Sequence, residues 1–389
     1  MKKSLLAVLT MMLAFTGISW AEGKTDLSGY MGPNFRMIDQ GEDTKNDIGF
    51  GLAFNRVTFS GMQDVGPIVK KIGWKIEADF NRNTTYDLVY AYVQAYFSDQ
   101  FSARFGHLKE SFGREWLHPT YSLLTVDRLI TPEAARAGLD YMGYSYGLEF
   151  LFQQEMFKAM VAAYDGQRGE SFVGNQDPVL DYNVRAIVMP TAGLEIGANL
   201  QMKTLPGVFD GSDWACVPDD GVYSTDEDFY QTNSAMAYGV DLDYQKTFNE
   251  QMSLWAQAEF GTGDNYDELD PTDLEAEDTW QDYSWYSFQY FYVKALLMVT
   301  KNFGIHAAFA SMDPNTNAGD EEDDYAGKND SITKIIPGIT YRWSDKTRTQ
   351  IEVQLVTHQE GMELNDDMDV VEADDTSLTH FVLQQVLVW

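Results

Sequence analysis

Apolar and polar residues alternate with a period of two along most of this 389-residue chain. In segment 193–203, Leu194, Ile196, Ala198, Leu200 and Met202 fall on one face and Glu195, Asn199, Gln201 and Lys203 on the other. Segment 252–260 sets Met252, Leu254, Ala256, Ala258 and Phe260 against Ser253, Gln257 and Glu259, and segment 73–81 sets Trp74, Ile76, Ala78 and Phe80 against Lys75, Glu77, Asp79 and Asn81. Successive side chains of a strand point to opposite faces, so each segment reads as a strand with one apolar and one wet face. Carried through the chain, the pattern predicts sixteen strands: 26–38, 48–62, 72–83, 86–98, 100–109, 138–154, 156–165, 180–190, 193–205, 235–247, 250–262, 284–300, 303–313, 330–343, 346–358 and 376–389.

The connections fall into two kinds. Those after even-numbered strands are mostly one or two residues, such as Thr191-Ala192, Phe248-Asn249, Lys301-Asn302 and Ser344-Asp345, whereas those after odd-numbered strands are mostly long. Short turns at one end and long loops at the other, on an even number of strands, are the plan of a transmembrane antiparallel β-barrel with short periplasmic turns and long extracellular loops. A β-sandwich gives no reason for that asymmetry. Beyond residues 5–15 no apolar run reaches the ~18–20 residues of a membrane helix, so the membrane, if crossed, is crossed by strands.

The two ends agree with that plan. Lys2 and Lys3, the apolar stretch Leu5 to Phe15 and Ser19-Trp20-Ala21 form the three parts of an export signal over 1–21, leaving 22–389 as the expected barrel. In the last segment Phe381, Leu383, Leu387 and Trp389 share one parity, and the terminal aromatic resembles the signal read by barrel-assembly machinery. The expected location is the Gram-negative outer membrane, in contact with lipid and lipopolysaccharide. Tyrosines near strand ends, including Tyr86, Tyr96, Tyr283 and Tyr286, fit interfacial girdles, while parity turns Tyr290, Tyr292 and Lys294 toward the lumen.

Composition sharpens this picture. Sixty Asp+Glu against 27 Lys+Arg give a formal charge of −33, which excludes an ordinary nucleic-acid binder, and 14% aromatic residues exclude an acidic disordered chain. The connections 206–234, 263–283, 314–329 and 359–375 hold 29 of the 60 acidic residues and a single base, Lys328. The net charge therefore describes four external loops more than the barrel. Oxygen-rich clusters there, including Asp264, Asp267, Asp270, Asp320 and Asp323, could hold loose Ca²⁺ or Mg²⁺ and bridge to lipopolysaccharide phosphates, though no EF-hand spacing occurs; a solvated acidic rim explains them equally. No resident cofactor is expected. The one cysteine, Cys216, has no intramolecular partner.

Residues 103–128 carry a more specific signal: Gly106-His107-Leu108-Lys109-Glu110-Ser111-Phe112-Gly113-Arg114-Glu115, followed by Arg128 after an aromatic-rich stretch. This order resembles the phosphate-selective porin O/P family, with His107 and Ser111 departing from its pattern. Weaker similarity runs through Ala91-Tyr92-Val93, Val161 to Gly166 and Tyr182 to Arg185. The resemblance implies a trimeric sixteen-stranded porin whose third loop narrows a channel for passive diffusion of small hydrophilic solutes or ions, with phosphate-like anions among them.

The third long connection, about 110–137, is thus the candidate constriction, and it holds Arg114, Arg128 and Arg136. Lys109 precedes it, and parity adds Lys75, Arg104, Arg185 and Lys203 to the wet face of the wall. Each arginine has a plainer alternative, since Arg114 stands beside Glu115 and Arg128 beside Asp127, and local pairing would only shape the loop. The wall also offers Glu77, Asp79, Asp241, Asp243, Glu259 and Glu352, which oppose anion selectivity. A sugar-type or cation-preferring channel is the competing reading within the class, and a surface adhesin or structural barrel the competing class. Enzymatic activity is not expected: His107, His118, His306, His358 and His380 form no catalytic or metal-ligand spacing with their neighbours.

Overall fold

The computed structural model describes residues 24–39, 47–80, 87–130, 141–165, 180–205, 233–265, 286–313, 331–359, 362–364, 370–372 and 376–389. Sixteen strands form one closed antiparallel barrel in which each pairs with its neighbours in sequence. They are β1 (Lys24–Asp39), β2 (Asp47–Asp64), β3 (Lys71–Asp79), β4 (Asp87–Tyr96), β5 (Phe101–Lys109), β6 (Tyr144–Gln153), β7 (Phe157–Tyr164) and β8 (Asp181–Thr191). The second half comprises β9 (Leu194–Leu205), β10 (Asn233–Thr247), β11 (Ser253–Asn265), β12 (Tyr286–Met298), β13 (Phe303–Asp313), β14 (Ser331–Ser344), β15 (Thr347–Gln359) and β16 (Thr376–Val388). The ring closes where β1 runs against β16, from Tyr30 opposite Val388 to Asp39 opposite Thr379. Closure leaves no strand edge unpaired, the condition for strands to cross hydrocarbon.

The period-two pattern becomes the difference between the two faces of the wall. Along β10 the large apolar side chains Met236, Tyr238, Val240 and Leu242 are exposed on the outside, while Ala235, Ala237, Asp241 and Asp243 are buried on the inside. Phe105, 67% exposed, and Ile305 on β13 belong to the same outer apolar band, which is the surface a bilayer would cover. Tyr290, Tyr292 and Lys294 face inward and are each 1% exposed, as parity predicts.

Two boundaries move by four or more residues, for reasons visible in the packing. The sixth strand begins at Tyr144 rather than 138, because Tyr141 is drawn inward, 5.6 Å from Phe112 and 5.4 Å from Phe288 between ring centres, and donates a hydrogen bond to the Asp264 carbonyl. The third strand ends at Asp79 rather than 83, with Phe80 N–H still bonded to the Asn55 carbonyl. Inside the predicted connection 359–375, Met362–Leu364 and Val370–Glu372 pair as a small antiparallel ribbon that the strand pattern did not reveal.

At the tight turn between β8 and β9, Gly193 has a φ of +80°, and a Cβ there would collide with the Gln245 carbonyl oxygen of β10. That position needs both left-handed backbone and bare space, which only glycine supplies. Gly193→Ala is expected to cost at least ~1–2 kcal/mol. The check is the temperature at which the folded barrel converts to unfolded mobility on electrophoresis; Gly66→Ala, where nothing lies within 4 Å of the added carbon, should leave it unchanged.

Candidate functional site

The connection between β5 and β6 folds into the barrel. Glu110 begins it, accepting hydrogen bonds from Ser145 Oγ at 2.6 Å and Gln201 Nε2 at 2.7 Å. Gly113, at φ +79°, then turns the chain into a single helical turn, α1 (Arg114–Leu117), whose first amides meet a carboxylate from the wall: Glu259 Oε2 accepts from Arg114 N–H at 2.8 Å and Glu115 N–H at 3.1 Å. The Tyr290 and Tyr292 hydroxyls hold the Glu259 carboxylate at 2.7 and 2.8 Å. A wall acid that parity marks as lumenal thus serves as an anchor for the loop.

Beyond the helical turn the loop lies along β10 to β15. Phe112, Leu129, Ile130 and Tyr141 pack into one cluster with Ala237, Phe288, Tyr290, Ala308, Met312 and Ile336. This explains apolar residues at inward positions of the barrel: the loop covers them. Polar contacts fix the register. Glu115 accepts from Lys294 Nζ at 2.5 Å and from the amides of Leu129 and Ile130 at 2.7 and 3.3 Å, so one carboxylate joins both limbs of the loop to β12. Glu352 accepts from Val126 N–H at 2.6 Å, and Arg348 and Gln350 donate to the carbonyls of Leu123 and Leu124 at 2.7 and 2.8 Å. At the far end Asp127 pairs with Arg36 at 2.5 Å and Tyr121 packs against Tyr30, 4.6 Å between ring centres.

Covering one side of the lumen leaves the other open. Between Pro119 and Tyr121 of the loop and the wall of β1 to β5 lies a cavity of about 260 Å³, lined by Tyr30, Arg56, Thr58, Lys75, Glu77, Tyr90 and Lys109 among others. Arg56 pairs with Asp79 at 2.7 Å and Glu77 at 3.3 Å, and Lys75 pairs with Glu77 at 2.7 Å, so these two cations are balanced by two carboxylates.

Most candidate cations carried from the sequence are compensated in the same way. Arg104 pairs with Glu149, Arg185 with Asp241, and Lys203 with Asp181 at 3.7 Å. Arg114 is not paired with its neighbour Glu115; it reaches Glu195 at 2.6 Å, Asp243 at 3.2 Å and Asp241 at 3.5 Å. Burial works against its charge, but those carboxylates outweigh it and raise its pKa.

Two cations are different. Arg128 does not pair with Asp127; its guanidinium donates to the carbonyls of His118 at 2.8 Å and of Glu115 and Trp116 at 3.4 Å, and to Thr120 Oγ1 at 3.3 Å, while burial lowers its pKa. Lys109 places Nζ 4.2 Å from the ring centre of Trp116. Neither forms an ion pair among the described residues. Arg136 lies outside those residues, as do Asp267, Asp270, Asp320, Asp323 and Cys216. Asp264 accepts the Met236 N–H at 3.1 Å, and among the described residues no three His, Cys, Asp or Glu side chains gather as metal ligands.

Residues 28–218 match the family model of phosphate-selective porin O and P. The chain is a porin, similar to this family over those residues. As a porin it is an outer-membrane channel, and solved barrels share its architecture. Outer-membrane OmpT of Vibrio cholerae superposes with a TM-score of 0.59 at 12% identity, covering 94% of this chain and 98% of that one. The anion-selective porin of Comamonas acidovorans gives 0.59 at 10% identity, covering 94% and 100%. OprB of Pseudomonas putida gives 0.59 at 12% identity, covering 94% of each. At such identity these barrels establish the fold alone. No curated protein matches this porin.

Sequence reasoning did not find Trp116 or the Glu115–Lys294 pair. Lys294 offered a signal, a lone base among inward aromatic residues of β12, which needs a buried partner.

Proposed function

We propose that this porin passes small hydrophilic solutes by passive diffusion and favours anions, phosphate-like oxyanions among them, at the cavity between the inner loop and β1 to β5. The observation that carries the reading is that, among the described residues, no carboxylate pairs with Lys109 or Arg128, where Arg104, Arg114, Arg185 and Lys75 each have one. A compensated cation presents little field to a passing ion; an uncompensated one beside low-dielectric walls presents more of its charge for as long as it holds its proton. Even with the dielectric constant of bulk water, a unit charge about 4 Å away is worth about 1 kcal/mol, roughly a fivefold weight. Lys109→Gln with Arg128→Gln is therefore expected to lower the anion-to-cation permeability ratio by at least roughly fivefold. The measurement is the reversal potential of single channels in a KCl gradient, and an unchanged ratio would refute the reading.

The rings of Tyr30, Tyr90 and Tyr121 on the same cavity favour a second reading, a sugar-type channel with aromatic lining. Block of KCl conductance by neutral oligosaccharides, but not by phosphate, would select it.

A homotrimer is the assembly we infer, supported by the family and by a trimer form of V. cholerae OmpT with a similar fold. The acidic connections would form a rim at the channel mouth, in contact with lipopolysaccharide and loosely associated Ca²⁺ or Mg²⁺. Export by the general secretory pathway and recognition of Trp389 by assembly machinery belong to the same reading.

A further inference from the structure

Trp116 stands where two cations meet that form no ion pair among the described residues. Its residue is 8% exposed, and its ring centre lies 4.2 Å from Lys109 Nζ and 5.1 Å from Arg128 Cζ. Tyr144 packs edge-on against it at 5.2 Å and offers Lys109 a second ring at 5.8 Å. The indole Nε1 is buried with no hydrogen-bond partner among the described residues, so the face of the ring, not its N–H, engages its surroundings.

We infer that Trp116 determines the ion preference of the channel by holding Lys109 and Arg128 in place without neutralising them. This rests on the proposal that those two cations attract anions. A carboxylate partner fixes a cation and cancels its field; the quadrupole of an aromatic face fixes it and leaves the net charge intact. Arg104 and Arg185 are held by the first means, on Glu149 and Asp241. Lys109 and Arg128 are held by the second, with neutral carbonyls as additional acceptors for Arg128. Glu77 lines the same cavity as Lys109. Without the indole, the flexible lysine stem lets the ammonium settle toward that carboxylate, where its field is cancelled.

Trp116→Leu is expected to reduce the anion-to-cation permeability ratio by at least about two- to fivefold, the equilibrium weight of one cation–π contact at the lower end of its range. Trp116→Phe and Trp116→Tyr, which retain a ring face, should keep most of it. The decisive readout is coupling: in the Lys109→Gln/Arg128→Gln background, Trp116→Leu should leave the reversal potential where it was. If Trp116→Leu shifts the ratio equally in both backgrounds, or Phe loses as much as Leu, the ring only shapes the loop and the inference is overturned. If the Lys109→Gln/Arg128→Gln channel keeps the wild-type ratio, the proposed anion preference itself fails. A normal response to that pair with no response to Trp116→Leu removes Trp116 alone.

Discussion

Replacing Glu115 by Ala is expected to release the inner loop and raise single-channel conductance, with a concurrent loss of stability. The carboxylate is buried, and its three donors come from different places: Lys294 on β12, and the amides of Leu129 and Ile130 on the returning limb. Lys294 is itself 1% exposed, so truncation strands an ammonium away from water at a cost of about 3–5 kcal/mol, and each orphaned amide adds about 1–3 kcal/mol. The loop's least costly response is to move and let water in. Conductance in KCl and swelling of liposomes with larger sugars measure that response, and an unchanged conductance would show that other anchors suffice. Glu115→Leu combined with Lys294→Met should restore much of the stability, because a buried ion pair replaced by apolar side chains of similar size is often neutral. The narrow conductance should return with it.

The second large effect concerns Arg114. Arg114→Ala is expected to shift permeability toward cations, because Asp243 and Asp241 lose one of their counter-ions beside the lumen, not because an anion-attracting charge disappears. Asp243 then keeps His118, at 3.6 Å, as its only basic neighbour among the described residues. The two causes separate in the double variant: Arg114→Ala with Asp243→Asn should return most of the way to the wild-type reversal potential if the arginine acts as a counter-ion. If it stays shifted, Arg114 attracts anions directly. A buried carboxylate stripped of its partner costs several kcal/mol, so the single variant should also melt earlier than the double.

These expectations depend on features of unequal legibility in the sequence. Strand number, alternation and the turn asymmetry were readable because lipid imposes period two on every strand and closure imposes an even count; the thirteenth strand, Phe303–Asp313, agrees with its prediction residue for residue. The third connection was identifiable as the inward loop from its place in that order. What local sequence could not carry was the pairing. Arg114 sits next to Glu115 and Arg128 next to Asp127, yet all four find other partners, since neighbours on a sharply turning loop point apart: the barrel wall brings Asp241 to Arg114, Lys294 to Glu115 and Arg36 to Asp127, while Arg128 turns back onto carbonyls of its own loop. Likewise Glu259 and Glu352 read as channel-lining charges and prove to be loop anchors, a role that depends on what lies across the lumen.

The cluster of apolar side chains on the inner face of β10 to β14 has one further consequence. A barrel interior is usually thought of as a fixture into which loops of any length can be fitted, with pore width free to vary. Here the interior is furnished for one tenant: without Phe112, Leu129, Ile130 and Tyr141, the faces of Phe288, Ala308, Met312 and Ile336 would stand in water. Shortening the loop would therefore yield a leaky, sticky barrel before it yielded a wider filter. In such a protein, changes of solute range are more accessible through the exposed side chains of β1 to β5 than through the length of the loop.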